Sequence, residues 1–220
     1  MVQALLVAAA GAVLACGPRQ VVVIEPPVNA QQVATRLEAA EQLEVPLRVV
    51  FEWSMMEQGV RISGRGAARM EPPYKARLDL FLDNNEPAGR AALVDDDLRI
   101  PADLPPQVLP PANLLWSTLG VFRPGLGTAL LGAERDGDGL LLRYGLPGGD
   151  EAVYHLSEGR IDEVEVSRQG TVVQHLRIER DDLQIPVEAV YRDLVEVREL
   201  RLTRESVAQT EPFPSDIWRP

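Results

Sequence analysis

Two histidines, a few close-set carboxylates and one cysteine are the side chains of this 220-residue chain whose types could do chemistry. His155 and His175 each fall in a segment with strand-like alternation, and neither has a second ligand at a metal-binding spacing. The run Asp95-Asp96-Asp97 lacks the alternate oxygens and distal glutamate of a calcium loop, and Arg135-Asp136-Gly137-Asp138-Gly139 is no better. Both read as solvated turns. Asp162, Glu163 and Glu165 should spread over the two faces of a strand, which is wrong for a paired general acid and base. No nucleophile elbow, P-loop, dinucleotide glycine fingerprint or H-E-x-x-H occurs. The expectation is a protein with no metal, no cofactor and no catalytic residues. That leaves Cys16.

Cys16 closes an uncharged apolar run, Ala4 to Ala15, within MVQALLVAAAGAVLACG. About a dozen residues are too few to cross a bilayer core, which needs roughly twenty, but they suit a secretory h-region. Met1-Val2-Gln3 carries no cation, a departure from the usual basic start of such a leader. Val13-Leu14-Ala15-Cys16 resembles the bacterial lipobox, in which the cysteine is acylated and becomes the first mature residue. Residues 1–15 are therefore expected to be a signal peptide and Cys16 the lipidation site, holding the protein to a membrane by its acyl chains. The segment 16–30, with Pro18, Pro26 and Pro27, reads as an extended tether. Removing the leader leaves about 205 residues, enough for one domain and too few for two.

A net charge of −11 argues against nucleic acid, whose binders need a basic face, and against adsorption to anionic headgroups. With its one cysteine assigned to lipid, the domain at 31–220 must hold without a disulfide.

The elements that would make up that domain are mostly strands. A helix is expected from Ala30 to Leu43, capped by Asn29 and ended before Pro46. From Leu47 to Met56, Val49, Phe51, Trp53 and Met55 alternate with polar residues as in a half-buried antiparallel strand. Beyond a Gln58-Gly59 turn, Val60, Ile62, Gly64, Gly66, Ala68 and Met70 share one parity, and the glycines leave room for a bulky neighbour or for sharp curvature. Leu78, Leu80 and Leu82 line a third strand, and shorter strands follow at Arg90–Val94 and Leu98–Ile100. Such a run of hairpins curls toward a barrel.

Five prolines at 101–112 interrupt it. The next stretch, Asn113 to Val121, looks helical, with Leu115, Trp116, Leu119 and Phe122 on one side, and a second short helix is expected near Thr128–Ala133. Strands resume with Leu140, Leu142 and Tyr144 and continue through Ala152–Leu156, Arg160–Ser167, Thr171–Glu179, Val187–Tyr191 and Leu194–Arg204. A bulge near Arg198-Glu199 would reconcile the parity of Val195 and Val197 with that of Leu200 and Leu202. Phe213, Ile217 and Trp218 should anchor the tail over an open edge.

This order resembles the LolA and LolB lipoprotein-localisation family, and more closely its membrane-anchored LolB type. The likeness is carried by RVVFEWSMMEQGVRISGRGAARM, YKARLDLFLDNNEPAGRAALVDDD, NLLWSTLGVFRPG, GRIDEVEVSRQG and IPVEAVYRDLVEVRELRLTR, as pattern and order across Leu47 to Arg204. The resemblance implies an α+β, mainly β fold: an unclosed antiparallel β-barrel, or half-barrel, with helices covering its concave face. It implies an acyl-chain cavity, here lined by Phe51, Trp53, Met55, Leu78, Leu80, Leu82, Leu115, Trp116, Leu119, Phe122, Leu142 and Tyr144. In anchored members a large apolar residue projects toward the membrane from the loop after the third strand. Pro87 and Ala88 stand there in this chain, and Ala88 is a poor substitute. The implied partners are lipid or lipoprotein acyl chains and a periplasmic carrier protein, met by a monomer. Gly17, in place of an inner-membrane-retaining aspartate, implies the periplasmic face of the outer membrane. The competing expectation is a structural or assembly lipoprotein with a solid barrel that acts through protein contacts.

Overall fold

A computed structural model describes residues 27–101 and 109–219. Cys16, the leader and most of the tether lie outside these residues.

The chain opens with helix α1, Ala30–Ala40, whose N-cap Asn29 accepts a hydrogen bond from the Gln32 backbone N–H at 3.0 Å. Five strands follow: β1 Leu47–Glu57, β2 Val60–Glu71, β3 Lys75–Leu82, β4 Pro87–Val94 and β5 Asp97–Arg99. Helix α2, Ala112–Thr118, then separates them from β6 Ala129–Asp136, β7 Gly139–Gly145, β8 Glu151–Ser157, β9 Arg160–Arg168, β10 Thr171–Glu179, β11 Glu188–Asp193 and β12 Arg198–Gln209. A 3-10 turn at Ser215–Trp218 closes the chain.

All twelve strands form one antiparallel sheet in the order β5-β4-β3-β2-β1-β12-β11-β10-β9-β8-β7-β6. The first and last strands pair at its centre, and the two edges, β5 and β6, are consecutive in sequence. Helix α2 lies between these edges in sequence and packs into the concave core against β10 and β11. The sheet does not close, so the architecture is the expected half-barrel with helices over its concave side.

Local chemistry explains the meander. The β1–β2, β8–β9 and β9–β10 hairpins turn on Gln58-Gly59, Glu158-Gly159 and Gln169-Gly170, with positive φ at both residues of each pair. That backbone twist suits tight two-residue hairpins. In β1 the buried set is Leu47, Val49, Phe51, Trp53 and Met55, as the alternation requires.

Four expectations are corrected. Residues near Thr128–Ala133 form edge strand β6 instead of a second short helix: the ladder to β7 runs from Ala129 opposite Gly145 to Asp136 opposite Gly139. Strand pairing here overrides the local helical pattern. The parity change near Arg198 comes from the β11–β12 turn, in which Leu194, Val195 and Val197 are exposed, and the bulge lies farther along, where Glu205 is skipped opposite Val50 and Phe51. Asp162, Glu163 and Glu165 do not spread over the two faces of β9: Asp162 is exposed at a bulge skipped in the ladder to β8, and Glu163 and Glu165 share the outer face, because Val164 and Val166 take the inner one. Finally, the tail packs on the outer face of β3 and β4, beside the β5 edge. Arg77 and Arg99 donate to the Ile217 and Trp218 carbonyls at 2.7 and 2.9 Å, and the Ser215–Trp218 turn packs against β3 and β4.

Candidate functional site

The concave face of β1–β4 holds an apolar pocket of about 210 Å³. Trp53 and Met55 of β1, Leu78 and Leu80 of β3, and Ala91 of β4 form its walls. Ile62, Ile100 and Leu109 complete it, with Glu57 and Arg90 among its polar lining. The walls follow from period-two alternation: three strands of one curled sheet point every second residue inward.

Trp53 is the fixed point of this pocket. Its indole N–H donates to the Arg65 and Phe81 carbonyls, both at 3.1 Å, bridging β2 and β3 from β1. The bridge is sterically possible because Gly64 is there. A Cβ at Gly64 would stand 1.9 Å from the Phe81 oxygen. Gly66 serves differently: its missing side chain is replaced by the ring of Phe51. The room anticipated at Gly64 and Gly66 is thus taken up by close strand approach and an aromatic ring.

Of the twelve residues expected around a cavity, Trp53, Met55, Leu78 and Leu80 line this pocket. Leu82 is half-buried at the far end of β3 and borders a polar groove with Arg61 and Asp83. Phe51, Leu115, Trp116, Leu119, Phe122, Leu142 and Tyr144 belong to the continuous packed core. There, Phe122, Tyr144 and Tyr154 stack edge-on or tilted at centroid distances of 5.2 to 6.0 Å. Trp116 is fully buried, meets Tyr74 edge-on at 6.0 Å and donates its N–H to the Asp95 carbonyl at 2.7 Å. These rings fill the core beneath α2; beside the β1–β4 pocket a second, more polar cavity of about 390 Å³ opens at Leu98, Leu109, Val173, Tyr191 and Arg198.

The acidic turn after β4 holds the segment that follows α2. Asp96 accepts from Arg123 Nε at 2.7 Å and from the Leu126 N–H at 3.0 Å, while the Arg123 guanidinium lies 4.1 Å over the Tyr74 ring. Pro87 is exposed and Ala88 is half-buried in the pocket wall; the β3–β4 turn itself is tight, with Asn85 at φ 65°. Exposed apolar side chains collect instead on the β1–β2 and β11–β12 hairpins, which are neighbours because Glu57 pairs with Arg198. Met56, Val60, Ile62, Val195 and Val197 are all exposed there, and Ile62 also lines the pocket.

Ile62, Ala91, Ile100 and Leu109 were missed as pocket residues. Ile62 had the right parity in the sequence, but Ile100 and Leu109 border a proline-rich stretch without a period. Each histidine stands alone in its own strand, and the cross-strand register that places His155 beside Glu163 and Glu165 has no local signal.

No protein-family model matches the chain, and no curated protein matches it in sequence. Solved structures do resemble it. A LolA superfamily protein from Nitrosomonas europaea superposes with a TM-score of 0.58 at 15% identity, over 88% of this chain and 98% of that one. A protein domain assigned to outer membrane lipoprotein sorting, from Vibrio parahaemolyticus, gives 0.53 at 9% identity, over 86% and 97%. A DUF1329 family protein from Desulfovibrio piger gives 0.51 at 10% identity, over 86% and 95%. At these identities the likeness is one of fold, and the chain has the unclosed-barrel fold of the LolA superfamily.

Proposed function

We propose that this protein is a lipid-anchored envelope protein that holds one acyl chain, of a lipoprotein or another lipid, in the pocket at Trp53, Met55, Leu78 and Leu80. The pocket is the observation that carries the reading: it is mainly apolar, concave and walled chiefly by strands β1, β3 and β4. Its 210 Å³ is below the roughly 300–1,000 Å³ of sites for compact drug-sized ligands, so a slender chain is the better occupant. Each methylene buried there would contribute about 0.8 kcal/mol without any polar contact. The exposed apolar rim at Val60, Ile62, Val195 and Val197 adjoins the pocket and gives a greasy ligand a route from the membrane side. Anchoring through Cys16 would keep that rim near the bilayer at the periplasmic face of the outer membrane.

Mass spectrometry of the full-length protein, extracted in detergent and transferred to native conditions, tests the reading. A co-purified acylated lipid near one per chain is the expected result. A uniformly empty protein that also fails to take up added fatty acid would overturn it.

A further inference from the structure

The outer face of the sheet carries a second group of chemistry-bearing side chains, remote from the pocket. His155 on β8, Glu163 and Glu165 on β9 and His175 on β10 project from three adjacent strands. In register His155 stands opposite Glu163, and His175 opposite Glu165. The close approaches are diagonal: His155 Nε2 lies 3.8 Å from Glu165 Oε2, and His175 Nε2 lies 3.0 Å from Glu163 Oε1. One ligand atom from each of His155, Glu163 and Glu165 falls within 4.8 Å of the others, the only such group among the described residues.

One atom marks this cluster as more than a solvated ladder. Nε2 of His155 is sealed from solvent and has no hydrogen-bond partner, since 3.8 Å to Glu165 is too long for one. A buried imidazole nitrogen left unpaired is costly, and a metal ion is one of the few partners that would satisfy it. We propose that His155, Glu163 and Glu165, with His175 as fourth ligand, bind a first-row transition dication such as zinc.

The chemistry is consistent on three counts. Two imidazoles and two carboxylates make a tetrahedral set suited to zinc, whereas calcium and magnesium take mainly oxygen ligands. Two carboxylate ligands balance one dication. Zinc bonds of about 2.0–2.2 Å would bring the ligand atoms of His155, Glu163 and Glu165, now within 4.8 Å of one another, to about 3.4 Å, a closure that glutamate rotamers supply while the backbone ladder stays fixed; His175, outside that group but 3.0 Å from Glu163, would swing in with Glu163. Nothing in the reading of the apolar pocket is required for it.

The test is titration of the tag-free, full-length protein with Zn²⁺ against a chromophoric chelator at neutral pH, and with Co²⁺ followed in the visible. One equivalent of Zn²⁺ should bind in the micromolar range or tighter, and Co²⁺ should give the intense bands of a tetrahedral site. His155→Ala, Glu165→Gln and His175→Ala should each weaken binding about tenfold or more. Glu52→Gln, on an exposed carboxylate of β1, should leave it unchanged. Circular dichroism of the variants separates lost binding from lost fold. Absence of saturable binding by the folded wild type, or binding that His155→Ala leaves intact, would overturn the proposal.

Discussion

The Phe51 ring stands where a side chain at residue 66 would be: a Cβ on Gly66 would meet Phe51 Cε2 at 2.4 Å and Cζ at 2.6 Å. Phe51 on β1 thereby fills the depression that β2 leaves at Gly66. Gly66→Ala should destabilise the fold by about 1–3 kcal/mol through overpacking. Phe51→Leu introduced with it should recover part of the loss, a coupling that denaturant unfolding of the double-mutant cycle would measure. Gly64→Ala should cost more than Gly66→Ala, since the clash at 1.9 Å is with the backbone oxygen of Phe81 and no side chain can yield.

Glu41 and Arg180 form a buried ion pair at 2.8 Å between the end of α1 and the β10–β11 connection. Glu41 Oε1 also accepts from the Ile161 N–H at 3.0 Å, and Arg180 donates to the Ile161 and Gln184 carbonyls. Glu41→Ala would leave a buried guanidinium and a buried N–H without their acceptor, at a cost of about 3–5 kcal/mol in chemical unfolding.

Burial, only partly offset by Arg180, raises the Glu41 carboxyl above its ordinary value of 4.5. Native Glu41 therefore holds its proton more tightly than the unfolded chain does. Its contribution is fully present below about pH 4.5 and falls as pH rises through the folded-state value. Glu41→Gln keeps an acceptor and removes this titration. Unfolding across a pH series should show the wild type's advantage over Glu41→Gln narrowing as pH rises; a widening gap would contradict the assignment.

Trp116 belongs to the packed core. Trp116→Ala should lower stability by about 3–5 kcal/mol, and Trp116→Phe by about 1–3 kcal/mol, since phenylalanine leaves the Asp95 carbonyl unpaired. Thermal unfolding of both variants provides the measurement. A Trp116→Ala protein as stable as wild type would mean that α2 is a loose lid.

Ile62 separates ligand capture from stability. It is 47% exposed and lines the pocket, so Ile62→Glu should change stability by no more than about 0.5 kcal/mol. The same variant should carry several-fold less co-purified lipid by mass spectrometry.

Much of this architecture was legible in the sequence because period-two alternation and X-Gly turns are local signals. They located β1, β3, β7, β9 and β10, the buried parity of Phe51, Trp53 and Met55, and the cap at Asn29. Edge strand β6 was not legible, since Leu130 and Ala133 suit either structure and only pairing with β7 decides between them. The pocket was half legible. Alternation gives which side chains point inward, but whether they meet or leave space depends on cross-strand distances such as Phe51 to Gly66. The His155 and Glu165 juxtaposition was invisible for the same reason, as it is made by register between strands.

The central claim is that the space beside Trp53 receives an acyl chain. Tryptophan fluorescence during titration with a fatty acid brominated along its chain tests it most directly, because bromine quenches an indole it touches. Trp116 lies in the packed core and Trp218 on the outer face, so Trp53 is the indole in reach of the pocket. Saturable quenching at about one ligand per chain, lost in Trp53→Phe and reduced in the pocket-filling Ala91→Leu, is the predicted result. Absence of quenching in the wild type, or quenching that persists in Trp53→Phe, would contradict it.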